Sequence, residues 1–486
     1  MPNSNQRLTH QNIIGDFLSI AMLIIVNLAM YSWVFRDDTY FFVDDWGWLD
    51  RATFTPWRDY LSWWTALPAA LFMDRPIAGM AIHGLYSIFN LNHFGFSVAT
   101  LGVHILNSIL IYFIGKKVLG FKFDGLIAST LFAINPYISY PVWWVATIHD
   151  SLALLFCLSS FLAFIANKKY GIYLACFFYY LATRSKEASL PFPLILIIYE
   201  FLLPLNAHKS ISYINRLKET IKSTWPILLL FAFLISFYGF YFIQHKVHGD
   251  DFGPYLPKFS GTTLANGLDF YLKLISYNFF EGRTVFVLCA IFLFLATIFK
   301  NKLIVFFLIS FFVASSPVLV LGTQRVPYYA YLPAPWFCLF IAAIYSALRI
   351  KIANRTNEMF SSHLNFIAFL ILGSLCAFIL NTENISRPTL EVMKENKKAQ
   401  ISLMNKIIEV KEGTNFVILG VPNGPISFFA YAPCTAIKVL YKVQKITCAI
   451  QRDDTTLIKE YQSLNSPKIL LNYNKGEIVL LEKKED

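Results

Sequence analysis

The sequence predicts a polytopic α-helical membrane protein with about eleven transmembrane helices and a small C-terminal α/β domain outside the cytoplasm. Hydrophobic residues make up 56% of the 486 residues and charged residues only 15%, whereas about one quarter of the residues of soluble domains are charged. Several apolar runs, such as 13–34 and 94–114, reach the roughly 20 residues that a helix needs to cross a bilayer. From residue 385 onward the charge rises and strand patterns replace the apolar runs. A soluble fold is therefore excluded, and membrane lipids surround most of the chain.

The basic residues indicate how the helices are oriented. The formal net charge is +11, but the lysines and arginines are spread over short loops, so nucleic acid is not a predicted partner. Positively charged short loops of membrane proteins usually lie in the cytoplasm. This rule places the N-terminus inside, and an odd number of spans places the C-terminus outside. Arg7 precedes the first apolar run without a convincing cleavage site after it, so the first helix is expected to remain as an anchor.

The predicted domains are a transmembrane domain at 1–384, with a first outer loop at 35–93, and an outer C-terminal domain at 385–486. Two segments, 57–90 and 262–281, are expected to lie along the outer membrane interface. The predicted spans lie near 13–34 and 94–115, then in a third run ending near Tyr140, a fourth ending before Lys168, a hairpin of two spans around Arg184, and near 224–245, 283–299, 303–321, 327–347 and 364–381.

The C-terminal domain has the pattern of a small α/β fold. Residues 415–421 and 468–471 have the composition of strands, and 472–477 is typical of a hairpin turn because it contains a glycine. Cys434 and Cys448 belong to this domain. In an oxidising compartment they could form a disulfide, and two free thiols are the alternative.

Ionisable side chains gather at the outer ends of the predicted spans. Such groups are costly at membrane depth, so their positions carry information. Singly, each of them could be a structural pair or a side chain that extends to the interface, but six separate segments meet on one face. They are Asp44 with Asp45, Asp74 with Arg75, His149 with Asp150, Arg184 with Lys186 and Glu187, Glu281 with Arg283, and Gln324 with Arg325.

The acidic pair suits group transfer from a phosphate-linked donor. Adjacent carboxylates such as Asp44 and Asp45 repel each other unless something uses them. One of them could remove a proton from an acceptor hydroxyl, while arginines and lysines stabilise the departing phosphate. Trp46 and other tryptophans nearby have flat faces that suit sugar rings, although anchoring at the interface is the ordinary role of Trp.

No cofactor is predicted. His83, His104 and His149 share no metal-ligand spacing, so a zinc site is not expected. The acidic pair could hold a divalent cation together with water and phosphate, but two carboxylates alone are weak evidence for such a site.

Five stretches of sequence follow one another in a distinctive order. They are FFVDDWGWLD from Phe41, RPIAGMAIHGLYSIFNLNHFGFSVATLGVHILNSILIYFI from Arg75, VWWVATIHDSLALLF from Val142, ATRSKEASLPFPLILIIYE from Ala182 and TQRVPYYAYLPAPWFCLF from Thr323. Together they resemble the GT-C class of integral membrane glycosyltransferases, over residues 10–345. The first is similar to the acidic motif of the first outer loop in that class, the third and fourth to segments of protein O-mannosyltransferase-like proteins, and the fifth to a Glu-Arg-Tyr-Leu-Tyr-Leu-Pro pattern. Two positions depart from the class, since His149 stands where Arg is common and Gln324 where Glu is usual.

The resemblance implies an inverting glycosyltransferase that takes a sugar from a polyprenyl-phosphate carrier outside the cytoplasm. The size and the short C-terminal domain most resemble bacterial and phage-encoded O-antigen glucosyltransferases that change serotype. That likeness implies undecaprenyl-phosphate glucose as donor, a lipid-linked O-antigen sugar as acceptor, and the periplasmic face of the bacterial inner membrane as location. Asp44 or Asp45 is then the base, and Arg184, Lys186 and Arg325 hold the donor phosphate. The expected substrate-binding residues are Trp46, Arg75, His149, Asp150, Glu187, Tyr328 and Tyr331.

Three other functions remain as alternatives. An O-antigen polymerase or ligase depends on arginines in large mid-chain loops, whereas here an acidic pair lies in the first outer loop. A transporter or flippase of lipid-linked sugars needs polar residues near the bilayer midplane, whereas these charges gather at one face. A non-catalytic membrane scaffold would use the C-terminal domain to bind partners.

Overall fold

The computed structural model shows a bundle of apolar helices joined to a small four-stranded sheet. It describes residues 4–36, 39–41, 43–62, 75–166, 170–203, 212–247, 257–298, 300–322, 324–354, 358–381, 387–420, 433–451, 468–474 and 477–484. The helices in chain order are α1 (Ser4–Tyr31), α2 (Asp45–Phe54), α3 (Trp57–Ser62), α4 (Pro76–Phe89), α5 (His93–Leu119), α6 (Lys122–Ala133), α7 (Tyr140–Trp143), α8 (Ile148–Ala166), α9 (Gly171–Ser185), α10 (Phe192–Leu202), α11 (Tyr213–Val247), α12 (Gly261–Ile275), α13 (Gly282–Ile298), α14 (Lys302–Leu319), α15 (Ala334–Ala353), α16 (Glu358–Asn381), α17 (Arg387–Lys406) and α18 (Pro433–Tyr441).

Seven helices of the described chain are long and apolar enough to cross a membrane. Shorter helices, α6, α9, α10 and α13, occupy the other predicted span positions, and they have 12, 15, 11 and 17 residues. At about 1.5 Å per residue, none of these four alone reaches across a hydrocarbon core of about 30 Å. The total of eleven spans therefore stays a prediction. The seven long spans are Ile13–Phe35, His93–Leu119, Val145–Ala166, Tyr213–Gly239, Lys302–Leu319, Ala334–Ala353 and His363–Leu380.

Two predicted spans are shortened by proline. The tenth was expected to begin at residue 327, but 327–330 forms a 3₁₀ turn and α15 begins only at Ala334. The third was expected to end near Tyr140, but α6 ends at Ala133. Proline lacks the N–H that a helix interior needs, and it disfavours helical backbone in the residue before it. The two irregular connections that result carry side chains of the candidate site.

Helices α5 and α6 cross at unusually short distance because glycines face each other. A Cβ atom built on Gly125 would lie 2.4 Å from the carbonyl oxygen of Tyr112 and 2.8 Å from the backbone N of Lys116. A Cβ atom built on Gly115 would lie 2.7 Å from the Cα of Gly125. These contacts are with backbone, which has little freedom to move aside. Helix α5 also contacts α8, the helix that carries His149 and Asp150.

Substitution Gly125→Ala is expected to destabilise the protein by about 1–3 kcal/mol, because the added methyl group overpacks the α5–α6 crossing. The measurement is the midpoint of thermal unfolding of the detergent-purified protein. Gly102→Ala is the matched control, since a Cβ there meets nothing within 4 Å. Equal midpoints for the two variants would contradict this account of the crossing.

The C-terminal region contains a four-stranded mixed sheet. The strands are β1 (Asn415–Leu419), β2 (Thr447–Gln451), β3 (Lys468–Asn474) and β4 (Glu477–Lys484), in the order β2-β1-β3-β4. The central strand β1 pairs in parallel with β2 and β3, and β4 is antiparallel to β3. Helix α17 is fastened to β4 by Ser402, whose hydroxyl accepts from the N–H of Ile478 at 2.9 Å and donates to its carbonyl at 3.1 Å. A disulfide joins Cys434 of α18 to Cys448 of β2, so the alternative of two free thiols does not apply.

Candidate active site

The acidic pair lies at the start of α2, and the structure gives its two members different environments. Asp45 is fully buried, and its Oδ1 accepts a hydrogen bond from the backbone N–H of Ala146 at 2.6 Å. Ala146 belongs to the 3₁₀ turn Val145–Thr147, which leads directly into α8. The Asp45 carboxylate therefore ties α2 to the start of the helix that carries His149.

Asp44 is only partly buried and directly precedes α2. Burial raises the pKa of its carboxyl above the ordinary aspartate value. The residue before it, Val43, has a φ of 49°, which is rare for a β-branched side chain and costs conformational energy. A carboxylate with a raised pKa holds a proton more strongly, which suits a general base.

Trp46 is buried and serves the packing of the first outer loop. Its ring lies 5.9 Å from the rings of both Tyr40 and Phe41, and only 2% of Trp46 is exposed. The expected stacking of Trp46 on a sugar therefore has no open ring face in this structure. Trp48, two residues further along α2, is partly buried, and its ring centre is 6.2 Å from that of His149.

A network of ionisable side chains lies beside α2. The guanidinium of Arg75 forms two hydrogen bonds with the carboxylate of Glu187, Nη2 to Oε1 at 2.7 Å and Nε to Oε2 at 3.0 Å. Nη1 of Arg75 is 3.0 Å from Nε2 of His149, which in turn is 3.1 Å from Oδ2 of Asp150. The other oxygen of Asp150 accepts from Lys186. We call these five residues the ionic network.

The ionic network brings together three elements that are far apart in the chain. Arg75 directly precedes α4, His149 and Asp150 begin α8, and Lys186 and Glu187 follow α9. Two cations face two carboxylates across a histidine, so the charges balance when the histidine is neutral. Such balance is what permits charged groups to be buried this deeply.

Burial and attraction oppose each other in the ionic network. Burial alone would raise the pKa of Glu187, but the attraction of Arg75 and Lys186 outweighs it and holds this pKa below its ordinary value. Burial alone would lower the pKa of Arg75, but Glu187 outweighs it and raises this pKa. For Lys186, burial is the stronger influence, and its pKa is lowered although Asp150 opposes the change. The Arg75–Glu187 pair is therefore firmly ionised.

Aromatic rings cover Lys186. Its ammonium lies 5.1 Å from the ring centre of Tyr328 and 4.7 Å from that of Tyr329, distances at which cation–π attraction is appreciable. Trp144 packs edge-on against Tyr328 at 5.5 Å. The 3₁₀ turn before α15 thus closes one side of the ionic network.

Three more predicted site residues also lie outside the ionic network. Arg184 is buried and interacts electrostatically with Tyr238 of α11. Arg325 lies near Tyr271 of α12, and its buried Nε atom has no hydrogen-bond partner within the described ranges. Tyr331 is completely buried behind the site, where its hydroxyl is 2.7 Å from Nδ1 of His104, so it does not reach a substrate in this structure.

Other polar residues of the six segments fall away from the ionic network or outside the description. Glu281 pairs with Lys273 at 3.0 Å on an exposed surface, and the backbone N–H of Arg283 donates to Asp269. Asp74 lies outside the described residues. In the part of the chain that the structure describes, no group of three or more His, Cys, Asp or Glu side chains is placed to hold a metal ion.

Sequence reasoning missed two contributors to the site. One is Tyr329, which is closer to Lys186 than the expected Tyr328 is; the double Tyr of the fifth stretch was the available signal. The other is the backbone N–H of Ala146, which carries no sequence signal because every residue except proline has one.

Comparison with known proteins assigns no family. No family model matches the sequence, and no curated protein matches it. One solved structure that aligns with the chain is ArnT from Cupriavidus metallidurans bound to undecaprenyl phosphate, with a TM-score of 0.48 and 12% identity over 94% of this chain and 92% of that one. Another is ArnT from Cupriavidus metallidurans in the apo state, with a TM-score of 0.47 and 10% identity over 93% and 92%. Likenesses this weak support no assignment, and the function is argued from the side chains of this chain.

Proposed function

We propose that this protein is an inverting glycosyltransferase that acts on the non-cytoplasmic face of its membrane. It moves a sugar from a polyprenyl-phosphate donor to a lipid-linked glycan. The observation that carries the proposal is the joining of the acidic helix α2 to the ionic network. Asp45 bonds the turn that begins α8, and Trp48 packs against His149. These two contacts fix the start of α2, where Asp44 and Asp45 lie, beside the ionic network and the aromatic rings that cover it.

The partly exposed Asp44 is the better candidate for the base. The buried Asp45 holds the start of α2 in place through its hydrogen bond with Ala146. The oxygen of an acceptor hydroxyl would attack C1 of the donor sugar while Asp44 takes the proton. The bond between C1 and the phosphate oxygen breaks, and polyprenyl phosphate leaves with the electron pair. A single displacement of this kind inverts the configuration at C1.

Of the three residues expected to bind the donor phosphate, Arg325 is the best candidate, since Arg184 already interacts with Tyr238 of α11. The charge of Lys186 is already matched by Asp150, and a phosphate would have to compete with that buried carboxylate. Arg325 keeps a donor nitrogen without a partner among the described residues.

Replacement of Arg325 by Gln is expected to lower kcat/KM for the lipid-phosphate donor about 10- to 100-fold, because a charged hydrogen bond to phosphate contributes about 1.5–3 kcal/mol. The measurement is initial transfer rate against donor concentration in detergent micelles. Arg58→Gln is the matched control, since the Arg58 side chain is 87% exposed on α3. Equal donor kinetics for the two variants would remove Arg325 from the phosphate site.

Glucose as the sugar, O-antigen as the acceptor and the bacterial inner membrane as the location are the specific form of this proposal. They come from the five stretches that resemble serotype-converting glucosyltransferases. The disulfide between Cys434 and Cys448 favours an outer, oxidising position for the C-terminal domain, because disulfides persist in such compartments.

The decisive experiment is mass analysis of surface polysaccharide from a bacterial host that supplies polyprenyl-linked glucose. Wild-type protein is expected to add one hexose mass to the glycan repeat, and Asp44→Asn at the same membrane level is expected to add none. Asp59→Asn, at a partly exposed aspartate of the same outer loop, is the control and should behave as wild type. An unchanged glycan mass with wild-type protein would favour the polymerase or transporter alternatives instead.

A further inference from the structure

The C-terminal domain packs directly on the helix that carries the acidic pair. Helix α18 contacts α2, and buried residues from both belong to one hydrophobic cluster, among them Leu49 of α2 and Ile437 of α18. The two helices are separated by more than 370 positions in the chain. The sheet domain is therefore part of the wall around α2.

Opposite charges accompany this packing. Asp50 lies on α2 between Leu49 and Arg51, and its Oδ1 is buried without a hydrogen-bond partner among the described residues. Burial raises the pKa of Asp50, and Lys438 of α18 and Arg51 oppose that rise. Lys438 is therefore a cation from the C-terminal domain that stabilises the charged form of a carboxylate on α2.

The disulfide helps to hold α18 in its position against α2. Helix α18 has only nine residues, and an isolated helix of that length is marginal in water. Cys434 in its first turn is covalently joined to Cys448 of β2, with 5.5 Å between the Cα atoms. The sheet thus carries α18, and α18 carries Lys438.

The domain meets the membrane helices at a second place. Lys397 of α17 lies near His93, the first residue of α5. Helix α17 also contributes Met393 and Leu403 to the same hydrophobic cluster as the first outer loop. Contacts through both α17 and α18 restrict how the domain can turn relative to α2.

We propose that the C-terminal domain clamps α2 and that Lys438 is a positioning residue, which acts through Asp50 to hold the Asp44 carboxylate in place. The proposal rests on the proposed function for the role of Asp44, but the clamp itself is a property of α2 and α18. Losing the charge of Lys438 leaves Asp50 buried with less compensation, and α2 relaxes toward solvent. Small displacements of a catalytic group reduce turnover strongly.

The test compares Lys438→Met with Lys438→Arg in full-length protein reconstituted in lipid nanodiscs. Lys438→Met is expected to lower kcat about 10-fold or more while KM for the donor changes little, because positioning affects the reaction step. Lys438→Arg keeps the charge and should retain most of the activity. Lys406→Met, at an exposed lysine of α17, is the matched control and should match wild type.

Exchanging the charges separates positioning from simple loss of folding. In the double variant Asp50→Lys with Lys438→Asp the two charges are exchanged and still attract each other. It is expected to regain part of the kcat that each single variant loses. A merely structural role of Lys438 would lower the amount of folded protein and leave kcat per folded molecule unchanged. That result would overturn the positioning role.

Hydrogen exchange of the α2 amides gives a readout that needs no transferase activity. Faster exchange in α2 is expected for Lys438→Met and for the Cys434→Ser, Cys448→Ser variant, with unchanged exchange in α14, which lies elsewhere. If wild-type protein transfers no sugar but these variants still loosen α2, the clamp stands and the proposed function fails. If α2 exchange is the same in all variants, the clamp is wrong whatever the activity.

Discussion

Replacement of Asp44 by Asn is expected to reduce the transfer rate about 10²- to 10⁴-fold, the range that a general base contributes. The amide keeps the size of the carboxyl but cannot accept the proton of the acceptor hydroxyl. Because Asp44 is only partly buried and its side chain forms no capping hydrogen bond with α2, the unfolding midpoint should stay near that of wild type. The measurement is single-turnover transfer from a labelled polyprenyl-phosphate sugar, with thermal unfolding on the same preparation.

Asp45→Ala provides the contrast. It removes the acceptor for the buried N–H of Ala146, and an unsatisfied buried group costs about 1–3 kcal/mol. This variant is expected to lower the unfolding midpoint as well as the rate. If Asp45→Ala is stable and inactive while Asp44→Asn is active, the two roles are the reverse of those assigned here.

The pH dependence of wild-type transfer follows from the same carboxyl. Burial raises the pKa of Asp44, and the base acts only when deprotonated. The rate should therefore fall as pH decreases through a value above the ordinary aspartate pKa of about 3.9. An acid limb at the ordinary value, or one that persists in Asp44→Asn, would assign the titration to another group.

Replacement of Lys186 by Met is expected to destabilise the protein by about 3–5 kcal/mol, because it leaves the carboxylate of Asp150 buried without its cation. Both side chains of this pair are 2% exposed, so solvent cannot compensate. The measurement is thermal or denaturant unfolding in detergent. Lys273→Met is the matched control, since it breaks an exposed lysine–glutamate pair and exposed pairs contribute about 0–1 kcal/mol.

The double variant Lys186→Met with Asp150→Leu tests the cause of this loss. Removing both charges should recover most of the stability, because apolar pairs often replace buried ion pairs without cost. Transfer activity should not recover if the ionic network shapes the donor site. Recovery of activity together with stability would make the pair purely structural.

The sequence analysis named all five members of the ionic network as candidate site residues. Arg75, His149, Asp150, Lys186 and Glu187 were all expected at the site, since charged residues beside apolar runs are rare and their motifs follow a distinctive order. The motifs did not indicate which of these residues pair with each other. The pairs Arg75–Glu187 and Lys186–Asp150 depend on how the starts of α4 and α8 and the end of α9 are placed in space.

Some candidate residues that are close in sequence lie in different surroundings in the structure. Arg184 lies two positions before Lys186, yet it faces Tyr238 of α11. Tyr331 lies three positions after Tyr328, yet it is buried against His104. A helix or 3₁₀ turn rotates each successive side chain to a new direction, so proximity in sequence does not decide which neighbour points into a site.

The sequence by itself indicated a membrane protein with charged side chains at the ends of the predicted spans. It could do so because hydrophobicity and charge are properties of each residue separately. It also indicated strands near 415–421 and 468–471, where β1 and β3 lie. Only the tertiary structure decided that Asp45 is buried against Ala146 while Asp44 stays partly exposed, and that α18 lies on α2. Those outcomes depend on contacts between residues a hundred or more positions apart, and local patterns contain no record of which distant groups meet.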